Sequence, residues 1–89
     1  MAISADQLVQ GRIYITPEEQ LRKITGLGGG KVHYQSKSRK LPNRSWDEGQ
    51  QGTNAPSIET FCADVDHRLT IAELETLIAS GVLTAADLQ

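Results

Sequence analysis

The chain has 89 residues, 38% hydrophobic and 22% charged, with a formal net charge of -2. That length suits a single small domain over residues 1–89 with one modest core, and leaves little room for an enclosed catalytic cleft beside it. The composition excludes a disordered polyelectrolyte, and no apolar run approaches the roughly 18 residues of a membrane span.

One cysteine, Cys62, cannot form an internal disulfide. The first residues lack a basic stretch followed by an apolar run. Both features point to a reducing compartment, so a cytoplasmic protein without membrane contact is expected. The small net charge hides a polarity. Residues 1–46 carry eight Lys/Arg against three Asp/Glu, a balance of +5, whereas residues 47–89 carry one against eight, a balance of -7. Such asymmetry bears on partners and self-association rather than on fold.

Taken in chain order, Gly11 to Thr16 is the first strand candidate, rich in β-branched and aromatic types and closed by Pro17. Thr16-Pro17-Glu18-Glu19 then has the chemistry of a helix start, and Gly26 could end such a helix. Tertiary logic opposes it, because two parallel strands alone are unstable while Gln20 to Leu27 as a middle strand completes an antiparallel meander. The meander is the expectation. Gly28-Gly29-Gly30 supplies its second turn and Lys31 to Gln35 its third strand, with Val32 and Tyr34 on one face. Over residues 11–35 this order resembles the opening meander of small SH3-like barrels, a likeness of architecture that identifies no family.

Residues 41–56, with two prolines and two glycines, read as a long loop after the strand-rich segment 11–40. The segment 57–89 reads as helical. Ser57 caps a helix whose Ile58, Phe61, Cys62, Val65 and Leu69 recur at helical spacing. Thr70 and Glu73 form a capping box for Ile71, Leu74, Leu77 and Ile78, with Gly81 as the stop. Local signals leave one kinked helix or two equally open, and Thr84 to Asp87 suits a last short turn. The class is α+β, strands first and helices after.

No constellation carries catalysis. Gly26 to Lys31 falls one residue short of a phosphate loop and has Val32 where the metal-binding hydroxyl belongs. Cys62, His33 and His67 lack metal-ligand spacing, Asp64 with Arg68 reads as a surface i, i+4 pair, and no serine elbow occurs. No cofactor, metal or enzymatic activity is expected. A helix-turn-helix over 58–79 fails because its second helix bears two glutamates and no base-reading cation.

The expected function is a non-enzymatic protein-interaction or regulatory module, acting on a protein partner or by self-association as a homodimer. Trp46 stands in a polar loop between Arg44 and Asp47, a mixed-charge rim around one large ring, and is either an interface anchor or a lid on the core. Lys37, Arg39 and Lys40 complete the candidate partner-binding set. The runner-up is a nucleic-acid-binding module using the Lys/Arg stretch 22–44, which holds seven cations and no carboxylate. A small enzyme ranks third.

Overall fold

The computed structural model describes residues 3–48 and 55–88. Its centre is an antiparallel sheet of β1 (Ile13–Ile15), β2 (Gln20–Gly28), β3 (Lys31–Ser38), β4 (Asp47–Glu48) and β5 (His67–Arg68). The strands lie in the order β4-β3-β2-β1-β5. Helices α1 (Ile58–Asp64) and α2 (Ile71–Ala79) follow the meander, so the fold is α+β. No helix among the described residues is long and apolar enough to cross a membrane.

The middle segment is a strand. Leu21 pairs with Ile15 on one side and Lys37 on the other, and Gly28 closes against Lys31. Gly29 and Gly30 hold φ of +60° and +74°, as a two-residue type I′ hairpin turn demands, and such values cost glycine little. The Thr16 helix-start signature is used inside a hairpin loop instead. Glu19 N–H donates to the Thr16 carbonyl at 2.9 Å, and Gln20 N–H donates to Thr16 Oγ1 at 3.0 Å. Glu19 sits at φ +67°, the left-handed residue that follows the turn in a three-residue hairpin loop. The hydroxyl still receives a backbone N–H, but long-range pairing decides that the chain reverses rather than coils.

β1 shows the governing constraint, for Ile13, Tyr14 and Ile15 are all buried. Successive strand side chains point to opposite faces, so three buried neighbours require a sheet covered on both sides. On one face Tyr14, Ile24, Val32 and Tyr34 pack with Phe61, Cys62 and Val65. On the other, Ile13, Ile15 and Leu21 pack with Leu69, Leu77, Val82 and Leu83. The helices therefore occupy opposite faces, which removes the helix-turn-helix arrangement.

The stripe from Ile58 to Leu69 is not one helix. α1 ends at Asp64, and Val65 is extended at φ -97°, ψ 151°. Asp66 N–H then donates to the Ile15 carbonyl at 2.7 Å and Leu69 N–H to that of Ile13 at 3.1 Å, so the link between helices is drawn onto the sheet as β5. Val65 and Leu69 are buried as expected, but in different cores. The anticipated Asp64–Arg68 pair gives way to Asp64 with Arg22, Oδ2 to Nη1 3.9 Å, because Arg68 lies on a strand. The long loop 41–56 contains β4, paired through Asp47 and Glu48 to Ser36 and Gln35; its centre, 49–54, lies outside the described residues.

Helix ends follow local chemistry. Thr60 N–H donates to Ser57 Oγ at 3.1 Å, and the Thr70/Glu73 capping box is formed in both directions. At the far end of α2, Gly81 N–H donates to the Ile78 carbonyl and Val82 N–H to that of Leu77, a Schellman closure with Gly81 at φ +84°. A final 3-10 turn spans Ala85–Leu88.

Phe61 is wholly buried, edge-on to Tyr14 with centroids 5.9 Å apart and tilted on Tyr34 at 5.5 Å. Phe61→Ala is expected to lower unfolding free energy by about 3–5 kcal/mol, a large share of a small domain's stability. Denaturant unfolding checks this, and an unchanged midpoint would contradict it.

Candidate interaction surface

The residues singled out around Trp46 form two groups. Trp46 packs half-buried against the second core, and its Nε1–H donates to Asp87 Oδ1 at 2.9 Å. The Lys37 ammonium lies 4.7 Å from the ring centroid and donates to the Arg44 carbonyl at 3.2 Å. Lys37 is only 6% exposed. Arg39 and Lys40 gather instead on Glu19, at 3.6 and 3.2 Å. Arg44 and Asp47 are exposed. The structure thus joins Lys37, Arg44 and Trp46 in a packing arrangement, with the indole as a lid over the core.

Asp87 is the hub beneath that lid. Its carboxylate also accepts from Thr84 N–H at 2.9 Å and lies 3.6 Å from Lys23 Nζ. Burial alone would raise its pKa, but the Thr84 N–H, the Trp46 indole and the nearby Lys23 and Lys37 charges outweigh it and hold the carboxyl below its ordinary value. The C-terminal turn is thereby fastened to the sheet through charge-assisted bonds.

A second fastening joins β5 to the start of α2. His67 Nδ1 lies 2.7 Å from Asp66 Oδ2, and Nε2 lies 2.9 Å from Glu73 Oε2. Each ring nitrogen faces a carboxylate, so the doubly protonated ring fits best, and the bonds to Asp66 and then Glu73 raise the His67 pKa. Cys62 is buried in the first core; desolvation pushes its thiol pKa up and Asp6 adds to this, so it is a packing group rather than a nucleophile. No cluster of three or more His, Cys, Asp or Glu able to hold a metal occurs among the described residues.

The residues the sequence reading did not assemble lie beside α2. A groove of about 410 Å3 runs between the β1–β5 edge and the helix, with Ile13, Leu69, Ile71 and Leu74 as its apolar lining. Glu75 and Asp87 are its acidic lining, and Arg12 and Arg68 border it at the sheet edge while interacting with Tyr14 on the opposite face. Ile71 is 76% exposed in the first turn of α2. The sequence signal for this site was the Ile71, Leu74, Ile78 spacing, but the strand wall opposite it depended on β5, which local periodicity concealed. Comparison with family models, curated proteins and solved structures found no match to this chain.

Two pH dependences follow. For Asp87, whose pKa falls on folding, the stabilisation is present above about pH 4 and is lost as pH drops through the lower folded value. Asp87→Ala should remove about 1.5–3 kcal/mol at neutral pH and flatten that acid limb, read by Trp46 fluorescence during unfolding. For His67, whose pKa rises on folding, the stabilisation is present below about pH 6.5 and is lost as pH rises through the higher folded value. His67→Gln should therefore flatten the decline in melting temperature on the alkaline side; an unaltered slope would assign it to other groups.

Proposed function

We propose that the protein is a non-enzymatic interaction module whose main binding surface is the groove along α2. The observation that carries this reading is Ile71, a large apolar side chain 76% exposed on the wall of an apolar groove rimmed by charge. Isolated exposed apolar residues are ordinary, but one aligned with a concave apolar surface has the form of an interface anchor. Trp46, by contrast, has its indole N–H and much of its ring committed to the core, which favours the groove over the Trp46 loop as the primary contact. Arg44 and Asp47 then act as exposed flanking charges, and Arg39 and Lys40 as modulators of association rate.

The fate of the basic stretch supports a protein partner over nucleic acid. Arg22 stacks 4.8 Å from the Tyr34 ring, Lys23 pairs with Asp87, Lys37 is buried, and Arg39 and Lys40 share Glu19. Cations already held by carboxylates or ring faces release fewer counterions to a phosphate backbone. The SH3-like likeness concerns the order of the opening meander alone, and the binding reading does not depend on it.

A photoreactive residue placed at position 71 should crosslink to protein in extracts of the source cell, while the same group at position 40 should not. Nuclease-sensitive crosslinks from position 40, with none to protein from position 71, would replace this reading with nucleic-acid binding.

A further inference from the structure

The first turn of α2 is lightly anchored. Ile71 and Ala72 are exposed, Glu73 and Leu74 are half-buried, and Leu77 is the first residue of the helix to be fully buried. Clefts flank this turn on both sides: the 410 Å3 groove meets it at Ile71 and Leu74, and a smaller one of about 180 Å3 meets it at Ala72 and Glu73. Packing therefore holds the turn chiefly through Leu74. Its polar tether is Glu73, whose Oε1 accepts from Thr70 N–H at 2.9 Å and whose Oε2 lies 2.9 Å from His67 Nε2 on β5.

Proton counting at His67 decides whether that tether is made. The ring stands between Asp66 and Glu73, and each bond needs an N–H on the ring because an ionised carboxylate only accepts. The imidazolium supplies two; the neutral ring supplies one and turns a lone pair toward the other carboxylate. Asp66 is the adjacent residue and travels with the ring, whereas Glu73 belongs to α2, so the bond at Nε2 is the one whose loss separates the two elements. Other charged groups nearby are Asp6 and Arg68, which line the cleft beside His67, and Arg39, which borders Glu73 across the smaller cleft and is paired with Glu19. The bonds to Asp66 and then Glu73 raise the His67 pKa above its ordinary value of about 6.5, which brings its titration toward neutral pH.

We infer that His67 is a proton-operated clasp on the first turn of α2: doubly protonated, it holds Glu73 against β5, and on losing a proton it lets that turn part from the sheet edge. The side chains of His67, Asp66 and Glu73 are 42%, 40% and 35% exposed, so solvent screens the pairs and the device shifts a local opening rather than deciding whether the chain folds. The sign follows from linkage. A closed turn binds the proton more tightly than an open one, so opening is suppressed below the ordinary histidine value and increases as pH rises through the closed-state value, tenfold for each unit between the two. The device needs no occupant in either cleft.

Amide exchange of the full chain, measured by NMR together with the titration of the His67 ring, tests this. The reporters are Thr70 N–H, which donates to Glu73 Oε1, and Leu74 N–H, which donates to the Thr70 carbonyl at 2.9 Å. Corrected for base catalysis, their protection should fall as pH rises through the measured His67 pKa, while both exchange faster than Ile24 N–H in the central sheet. Asn43 N–H, bonded to the Gly81 carbonyl beyond the other end of α2, should show no such step. His67→Gln should abolish the step; Glu73→Gln, which keeps an acceptor for the cap, should shrink it and lower the His67 pKa. A His67 that titrates at or below about 6.5 overturns the clasp. So does protection at Thr70 and Leu74 that is flat through the titration, that still steps in His67→Gln, or that matches Ile24 and so reports only unfolding of the whole chain.

Discussion

Burial of β1 on both faces is the constraint from which the architecture follows. Ile13 and Ile15 face one core and Tyr14 the other, so a helix is needed on each side of the sheet. The short link between α1 and α2 must then pass around a sheet edge. It does so by pairing with β1 as β5, which satisfies backbone groups that would otherwise lie at an open edge. The opposite edge is covered by chain from the long loop: β4 pairs with Gln35 and Ser36, and Val32 N–H donates to the Pro56 carbonyl at 2.9 Å. Both edge strands are two residues long, which limits templated pairing with other chains.

The second organising feature is the internal use of charge. The N-terminal half is basic and the C-terminal half acidic, and the fold brings them together at Lys23 with Asp87 and Arg22 with Asp64. The first of these is partly buried and ties the last turn to β2 beneath the Trp46 ring. The exposed pairs contribute little individually, whereas the Asp87 cluster combines an indole, a backbone N–H and nearby ammonium groups in a desolvated setting. Tyr14 has a similar linking role on the other face. Its hydroxyl donates to the Gln7 carbonyl at 2.6 Å and accepts from Val9 N–H at 2.8 Å, which fixes the N-terminal segment against the sheet.

Much of this fold was legible in residue pattern. The glycine turn, the alternation of Val32 and Tyr34, the Ser57 and Thr70 caps and the Gly81 stop each reflect local chemistry, and each forms as that chemistry directs. The Thr16 segment shows where local chemistry is overruled, because a capping hydroxyl serves a turn as well as a helix. Val65 and Leu69 show a different failure. Their spacing from Phe61 mimics a helical stripe, yet they reach opposite faces of a sheet through an extended link. The groove was illegible for the same reason, since one of its walls exists only once His67 and Arg68 pair with β1. The membership of Asp87 in the Trp46 cluster spans 41 residues of sequence and has no local signature.

The account places contact with protein at the α2 groove and gives the Trp46 cluster to folding. Part of the basic stretch is engaged within the molecule, Arg22 over Tyr34, Lys23 with Asp87 and Lys37 over Trp46. The most direct measurement is a comparison of backbone amide shifts in the free chain and in the chain bound to the protein crosslinked from position 71. The account predicts that the changes gather at residues 11–13 and 68–75 and leave residues 37–47 unmoved. Changes gathered on residues 37–47, with the α2 groove unmoved, would contradict it.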